Sequence, residues 1–262
     1  MGEIPPEATL PLGKRAGEGT MGKRIAILQS NYIPWKGYFD LINSVDEFIL
    51  YDTAQFTKND WRNRNKIKTP QGVIWLTIPV RHSFGQTIQE TRVIDPTWSR
   101  KHWKSLLQNY AKASHFREHE QLFECVYRGI SGEQCLSVIN YCFLHEVCAI
   151  LGIRTQITWS RDYRLVDGQT ERLVDLCRQA GADEYISGPS AKDYIQEKPF
   201  LDAGIKLTYM DYSGYPEYRQ LYPPFDHGVS ILDLIFNEGP DAPKYMKSFV
   251  GRSADKPVAG GT

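Results

Sequence analysis

The sequence predicts an α/β protein: a mostly parallel, Rossmann-like sheet with crossover helices and a helical insertion. Three observations carry this reading. Short apolar runs of strand length recur at 25–28, 48–51, 155–159, 185–187 and 205–210, as strands buried on both faces require. Stretches of helical periodicity separate most of them, the alternation that builds a parallel sheet. Between about residues 97 and 151 the apolar residues recur at helical spacing, which marks the insertion.

Ile25 to Leu28 opens the sheet, and Gln29-Ser30-Asn31 then breaks the apolar run with side chains that turn a backbone. Pro34 fixes its φ near the helical value, and Gly37 lets another group come close. Tyr38, Leu41, Ile42 and Val45 share one helical face, giving a helix over 38–44. A strand, a polar loop and a helix start in that order place a ligand at the strand's carboxyl end. Phe48 to Tyr51 is the second strand. After a long polar stretch, Thr69-Pro70-Gln71-Gly72 signals a turn and Val73 to Val80 a third strand, so a hairpin is expected over 66–80. Residues 86–94 read as extended. Pro96 then opens a helix on which Trp103, Leu106, Leu107 and Tyr110 share a face, followed by helices over 117–128 and 131–151. A strand over 155–159 precedes a helix over 169–180 capped by Gly181. The remaining elements are a strand from Tyr185 running into a Gly-Pro turn, a helix from Lys192 to Leu201, a last strand over 205–210 and a helix near 230–237. Residues 1–23 read as a disordered leader, 24–250 as a single domain with the insertion, and 251–262 as a disordered tail.

The chain of 262 residues is 41% hydrophobic and 24% charged, ordinary for a globular protein. Basic and acidic residues balance at 31 each, so bulk attraction to nucleic acid or to an anionic membrane is not encoded, and no nucleic-acid partner is expected. Tyr (15) and Trp (6) are plentiful, which suits clefts for flat polar ligands as well as ordinary cores. The five cysteines show no CxxC spacing, which argues for free thiols in a reducing compartment and against zinc. No apolar run reaches transmembrane length and no signal peptide is present, so a cytoplasmic location is expected.

Two segments gather the chemistry-bearing residues. Lys58-Asn59-Asp60-Trp61-Arg62-Asn63-Arg64-Asn65-Lys66 sets four cations around a tryptophan, a pattern that clamps phosphates while the indole stacks on a ring. It follows the carboxyl end of the second strand, on the same rim as Gln29 to Lys36. Ser187-Gly188-Pro189-Ser190-Ala191-Lys192 offers hydroxyls, backbone N–H groups and a lysine at a helix start, an anion pocket without the spacing of a P-loop. The candidate binding set is therefore Gln29, Asn31, Trp35, Lys36, Tyr38, Gln55, Asn59, Asp60, Trp61, Arg62, Asn63, Arg64, Lys66, Ser187, Gly188 and Lys192. Asp52, His82 and Lys58 are the candidate catalytic groups, because a carboxylate, an imidazole or an amine can move a proton near such a site. Asp226-His227-Gly228, just before the last helix, is a further polar knot that fits an active site and a helix cap equally well. No metal-binding pattern appears.

Gln29-Ser30-Asn31-Tyr32-Ile33-Pro34-Trp35-Lys36-Gly37-Tyr38-Phe39, Tyr51-Asp52, Gln55 to Lys68 and Tyr185 to Pro189 together resemble the WbqC-like family, over roughly residues 24–238. The resemblance implies a step in making or decorating a bacterial surface polysaccharide, such as the O-antigen of lipopolysaccharide. The expected activity is that of a transferase adding an acyl or aminoacyl group to a nucleotide-activated or lipid-linked amino sugar. Its partner would be a small molecule, a nucleotide sugar or a glycolipid precursor. No cofactor is fixed, with ATP or a nucleotide sugar as the candidate substrate. The strand and loop leading into Pro34-Trp35-Lys36-Gly37-Tyr38 are also similar in layout to the two-histidine loop of nucleotidyltransferases and class I synthetases. Trp35 and Tyr38 would stand where that loop carries its histidines, and neither bears positive charge. An ATP-dependent ligase and a non-catalytic scaffold for glycan enzymes are the alternatives.

Overall fold

The order in which the strands sit side by side decides where this chain can hold a ligand. The computed structural model describes residues 22–250. The chain begins with β1 (Arg24–Leu28), α1 (Lys36–Asn43) and β2 (Glu47–Leu50). A hairpin of β3 (Arg64–Thr69) and β4 (Gly72–Thr77) follows, then a small pair, β5 (Val80–Arg81) and β6 (Arg92–Val93). Three helices come next: α2 (Trp98–Tyr110), α3 (Phe116–Gly129) and α4 (Leu136–Leu151). The second half runs β7 (Gln156–Trp159), α5 (Gln169–Gln179), β8 (Glu184–Ser187), α6 (Lys198–Asp202), β9 (Lys206–Tyr209) and α7 (Ile231–Glu238).

The main sheet is five-stranded and parallel, in the order β7-β2-β1-β8-β9. The chain winds outward from β1 through β2 to β7, then returns to the other side of β1 with β8 and β9. That reversal leaves a crevice beyond the carboxyl ends of β1 and β8, where open α/β sheets bind their ligands. Both faces of the sheet are covered, which is why its strands read as continuous apolar runs. Ala26, Phe48 and Leu50 join a core shared with α1, α4 and α7, while Ile25, Ile27 and Ile49 join another with Leu173 and Leu176 of α5 and Phe200 of α6.

Several boundaries differ from the sequence reading for local reasons. The hairpin begins at Arg64 and its second strand stops at Thr77, because Pro79 has no N–H to give a ladder. The helix expected from 131 starts only at Leu136, since Gln134 O is taken by Val93 N (2.8 Å) in a bridge to β6. No helix runs from Lys192 to Leu201. A 3-10 turn over Pro189–Asp193 ends first, and α6 restarts with Pro199 in its first turn, the helical position where proline is tolerated. Lys23, assigned to the leader, is tied in: its Nζ donates to Glu47 Oε2 and to Ala180 O, each at 2.7 Å. The expectations for residues 1–21 and 251–262 lie outside the described residues.

Candidate functional site

The loop that leaves β1 is held from three sides. Tyr32 N donates to Trp61 O (3.0 Å), and Asn65 Nδ2 donates to both Tyr32 O (3.0 Å) and Ile33 O (2.9 Å). Ile33 sits at φ +37°, a conformation that a β-branched residue adopts only when its surroundings enforce it. The head of α7 supplies the second side, with Ser230 N donating to Lys66 O and Ile231 N to Pro34 O, both 2.9 Å. The helical insertion supplies the third. His102 Nε2 lies 3.2 Å from Thr77 O, a carbonyl that can only accept, so Nε2 carries the proton and Nδ1 accepts from Tyr32 OH at 2.9 Å. Tyr32 OH in turn accepts from Tyr127 OH at 2.7 Å.

These supports enclose a cavity of about 290 Å³ beyond the carboxyl end of β1, lined by Asn31, Pro34, Trp35, Trp61, Asn65, His227 and Gly228. Trp35 meets Tyr212 and Tyr215 edge-on, at ring separations of 5.2 and 5.7 Å. Its indole lies back over Gly37, where any Cβ would fall 2.3 Å from the ring, so the glycine is needed for the tryptophan wall. Trp61 packs against Trp75 at 5.2 Å, and Lys66 Nζ lies 5.9 and 5.7 Å from those two rings.

Cations flank this cavity. Arg62 donates from Nη1 to Asn31 Oδ1 and from Nη2 to Gln29 Oε1 (2.7 Å), with Asp60 Oδ2 at 3.5 Å; its buried Nε has no partner among the described residues. The two amide side chains thus set the guanidinium in one orientation beside the cavity. Lys36, buried at the head of α1, donates to Pro216 O (2.9 Å) and lies 5.0 and 5.2 Å from the rings of Tyr215 and Tyr218. Burial lowers its pKa to about 8, so most of its charge remains at neutral pH.

His227 also lines the cavity. Gln220 holds Asp226 through both backbone groups, N to Oε1 and Nε2 to O, each 2.9 Å, and Asp226 Oδ1 accepts from Gly228 N at 2.7 Å. The imidazole between them meets Phe225 edge-on at 4.5 Å, and its Nδ1 has no hydrogen-bond partner among the described residues. Burial first, and the nearby Lys36 ammonium second, hold its pKa below the usual histidine value. His227 is thus a cavity-lining imidazole held in its neutral form, the form able to take up a proton.

The residues singled out in the sequence separate on this frame. Gln29, Asn31, Trp35, Lys36, Trp61, Arg62 and Lys66 gather at or around the cavity. Tyr38 is buried and donates to Gln29 O (2.9 Å), so it supports the loop. Asp60 accepts from Thr57 Oγ1 and Trp61 N and thereby holds the turn that presents Trp61. Asp52 is not placed to serve a ligand: it is 1% exposed, accepts from Ser30 N (2.8 Å) and Ser137 Oγ, and burial raises its pKa. Lys58, Asn59, Asn63, Arg64 and His82 line a different cavity, so His82 and Lys58 do not reach the first. Gln55 is exposed and bridges to Thr87. Ser187 ends β8, and Gly188 and Lys192 follow it on the same rim; none of the three lines the cavity, and Lys192 Nζ sits 5.1 Å over the ring of Tyr209. Asn65, Pro34, His227 and Gly228 were not among the sequence candidates. The Asp-His-Gly knot was the one available signal for the last two, and nothing in the sequence sets Asn65 apart from its neighbours. Among the described residues no group of three or more His, Cys, Asp or Glu could hold a metal ion.

A doubly wound α/β protein with a tryptophan-walled, cation-flanked cavity at the carboxyl rim of its first strand is the class that fold and site define. The chain belongs to the WbqC-like protein family, which it matches over residues 29–245, a span that includes all seven cavity-lining residues. It is similar to the uncharacterized protein Rv1507c of Mycobacterium tuberculosis, with 50% identity over 227 residues, 86% of this chain and 98% of that protein. No solved structure matches it. No helix among the described residues is long and apolar enough to cross a membrane.

Proposed function

We propose that this protein is a transferase of bacterial surface-polysaccharide (O-antigen) biosynthesis, adding an acyl or aminoacyl group to a nucleotide-activated or lipid-linked amino sugar. The observation that carries the reading is the guanidinium of Arg62, fixed by Gln29 and Asn31 beside a cavity walled by Trp35 and Trp61. Aromatic walls suit a sugar or base face, and an oriented guanidinium suits a phosphate oxygen. Lys36 and Lys66 add positive charge around the same space. In this reading His227 accepts the proton released when the sugar amine attacks the acyl carbonyl, and the new amide bond forms as the donor's leaving group departs.

Calorimetric titration tests the proposal. Nucleotide sugars are expected to bind more tightly than the corresponding free sugars, and Arg62→Ala is expected to remove about 1–3 kcal/mol of that affinity, as for one charge-assisted contact. Equal binding of the free and nucleotide-linked sugars would contradict it. Release of pyrophosphate from ATP on adding a carboxylate would point to a ligase instead.

A further inference from the structure

The cavity that holds Lys58 and His82 shares no lining residue with the first and has a volume of about 170 Å³. None of the ten residues around it is acidic, and Lys58 and Arg64 give it a positive field. Two of its polar groups are incomplete. Asn63 is 7% exposed, with Nδ2 donating to Ile78 O (2.8 Å) and its own carbonyl accepting from Ile78 N (2.8 Å). With the amide nitrogen committed, Oδ1 is left as a buried acceptor without a donor among the described residues. On the next residue, Arg64 engages Asn59 through Nη1 and Nη2 with its guanidinium 4.3 Å over the Trp75 ring, and its Nε is a buried donor without an acceptor among the described residues. Buried polar atoms in folded proteins are almost always paired, so an orphan donor and an orphan acceptor on consecutive residues of one cavity call for a partner from outside the chain.

The chemistry of that partner follows from the field and the orphans. Lys58 and Arg64 favour an anion through their charge, and Arg64 keeps one N–H unpaired among the described residues. Asn63 Oδ1 requires a hydrogen-bond donor beside that anion, and the surrounding cations disfavour an ammonium there, so a neutral donor is favoured, the smallest being a hydroxyl. Phe56 and Pro79 supply an apolar wall for a short carbon skeleton. We propose that this second cavity binds a small hydroxylated anion, the acid group held by Lys58 and Arg64 and the neighbouring hydroxyl by Asn63. The inference does not depend on what occupies the first cavity.

Titrating the isotopically labelled protein with D-glycerate, glycerol 3-phosphate, acetate and L-serine, followed by NMR, tests it. Glycerate or glycerol 3-phosphate is expected to shift the resonances of Asn63, Arg64 and His82 and to bind at least about tenfold more tightly than acetate or serine, the worth of one added hydrogen bond. Which of the two binds more tightly identifies the acid group as carboxylate or phosphate. Lys58→Ala, a change at an exposed side chain, is expected to weaken that binding by about tenfold. Acetate or serine binding as tightly as the hydroxylated anions would overturn the proposal. So would shifts centred on Trp35 and His227, or affinity unchanged in Lys58→Ala.

Discussion

At Ile33 the chain holds a β-branched residue at φ +37°, and the neighbouring side chains show what keeps it there. Asn65 donates to two consecutive carbonyls, Tyr32 O and Ile33 O, and its Oδ1 accepts from Lys66 N at 2.7 Å. Asn65→Ala is therefore expected to lower stability by about 1–3 kcal/mol, the cost of leaving buried carbonyls unpaired, measured by urea denaturation. An unchanged midpoint would show that the loop holds itself. His227 carries a different prediction. As the proton acceptor of the proposed transfer, its replacement in His227→Gln should slow turnover by about 10²–10⁴-fold while sugar-nucleotide affinity stays nearly constant. Loss of affinity with turnover intact would reassign it to binding.

Among the elements, the helical insertion reaches the site through buried hydrogen bonds: Asn140 Nδ2 donates to Ser30 Oγ and to Arg62 O (both 2.9 Å), and a chain runs from Tyr127 through Tyr32 to His102 and on to Thr77. Burial lowers the pKa of His102 from its ordinary 6.5 to about 4. Between those values the unfolded chain binds a proton that the folded protein does not. The stability contributed by neutral His102 is thus complete above pH 6.5 and is lost as the pH falls through 4, at up to about 1.4 kcal/mol per pH unit. The stability gap between the wild type and His102→Gln should accordingly narrow from pH 7 to pH 4.5 in urea titrations, and a constant gap would contradict this. The same elements show how far sequence reaches. The parallel strands were legible because burial on both faces leaves unbroken apolar runs such as Phe48-Ile49-Leu50. The break between Pro189–Asp193 and α6 was not, because the apolar residues around it keep a helical spacing that Pro199 interrupts. The polar run from Lys58 to Lys66 was legible as a cationic, tryptophan-bearing segment, and the direction of each side chain was not. Arg62 faces Gln29 and Asn31 whereas Arg64 faces Asn59, a division set by the turn at Asn59 (φ +63°) and the start of β3.

For the whole molecule, the decisive feature is the reversal of strand order at β1. Winding outward to β7 and returning to β8 leaves the carboxyl ends of β1 and β8 without a crossing connection above them. The long connection between β2 and β7 contributes the β3–β4 hairpin and three helices, and the segment after β9 contributes Tyr215, His227 and α7. Both fold back to the loop after β1, through Asn65 and His102 in the first case and Ile231 in the second. The cavity is thus assembled from segments nearly 200 residues apart, and no short motif could announce it in full. Hydrogen exchange with a panel of nucleotide sugars measures this most directly. The account predicts that a bound nucleotide sugar slows exchange in 29–36, 59–66 and 226–231 together. Protection confined to the cavity beside Ser114, Glu217 and Arg219, with the loop after β1 unchanged, would contradict it.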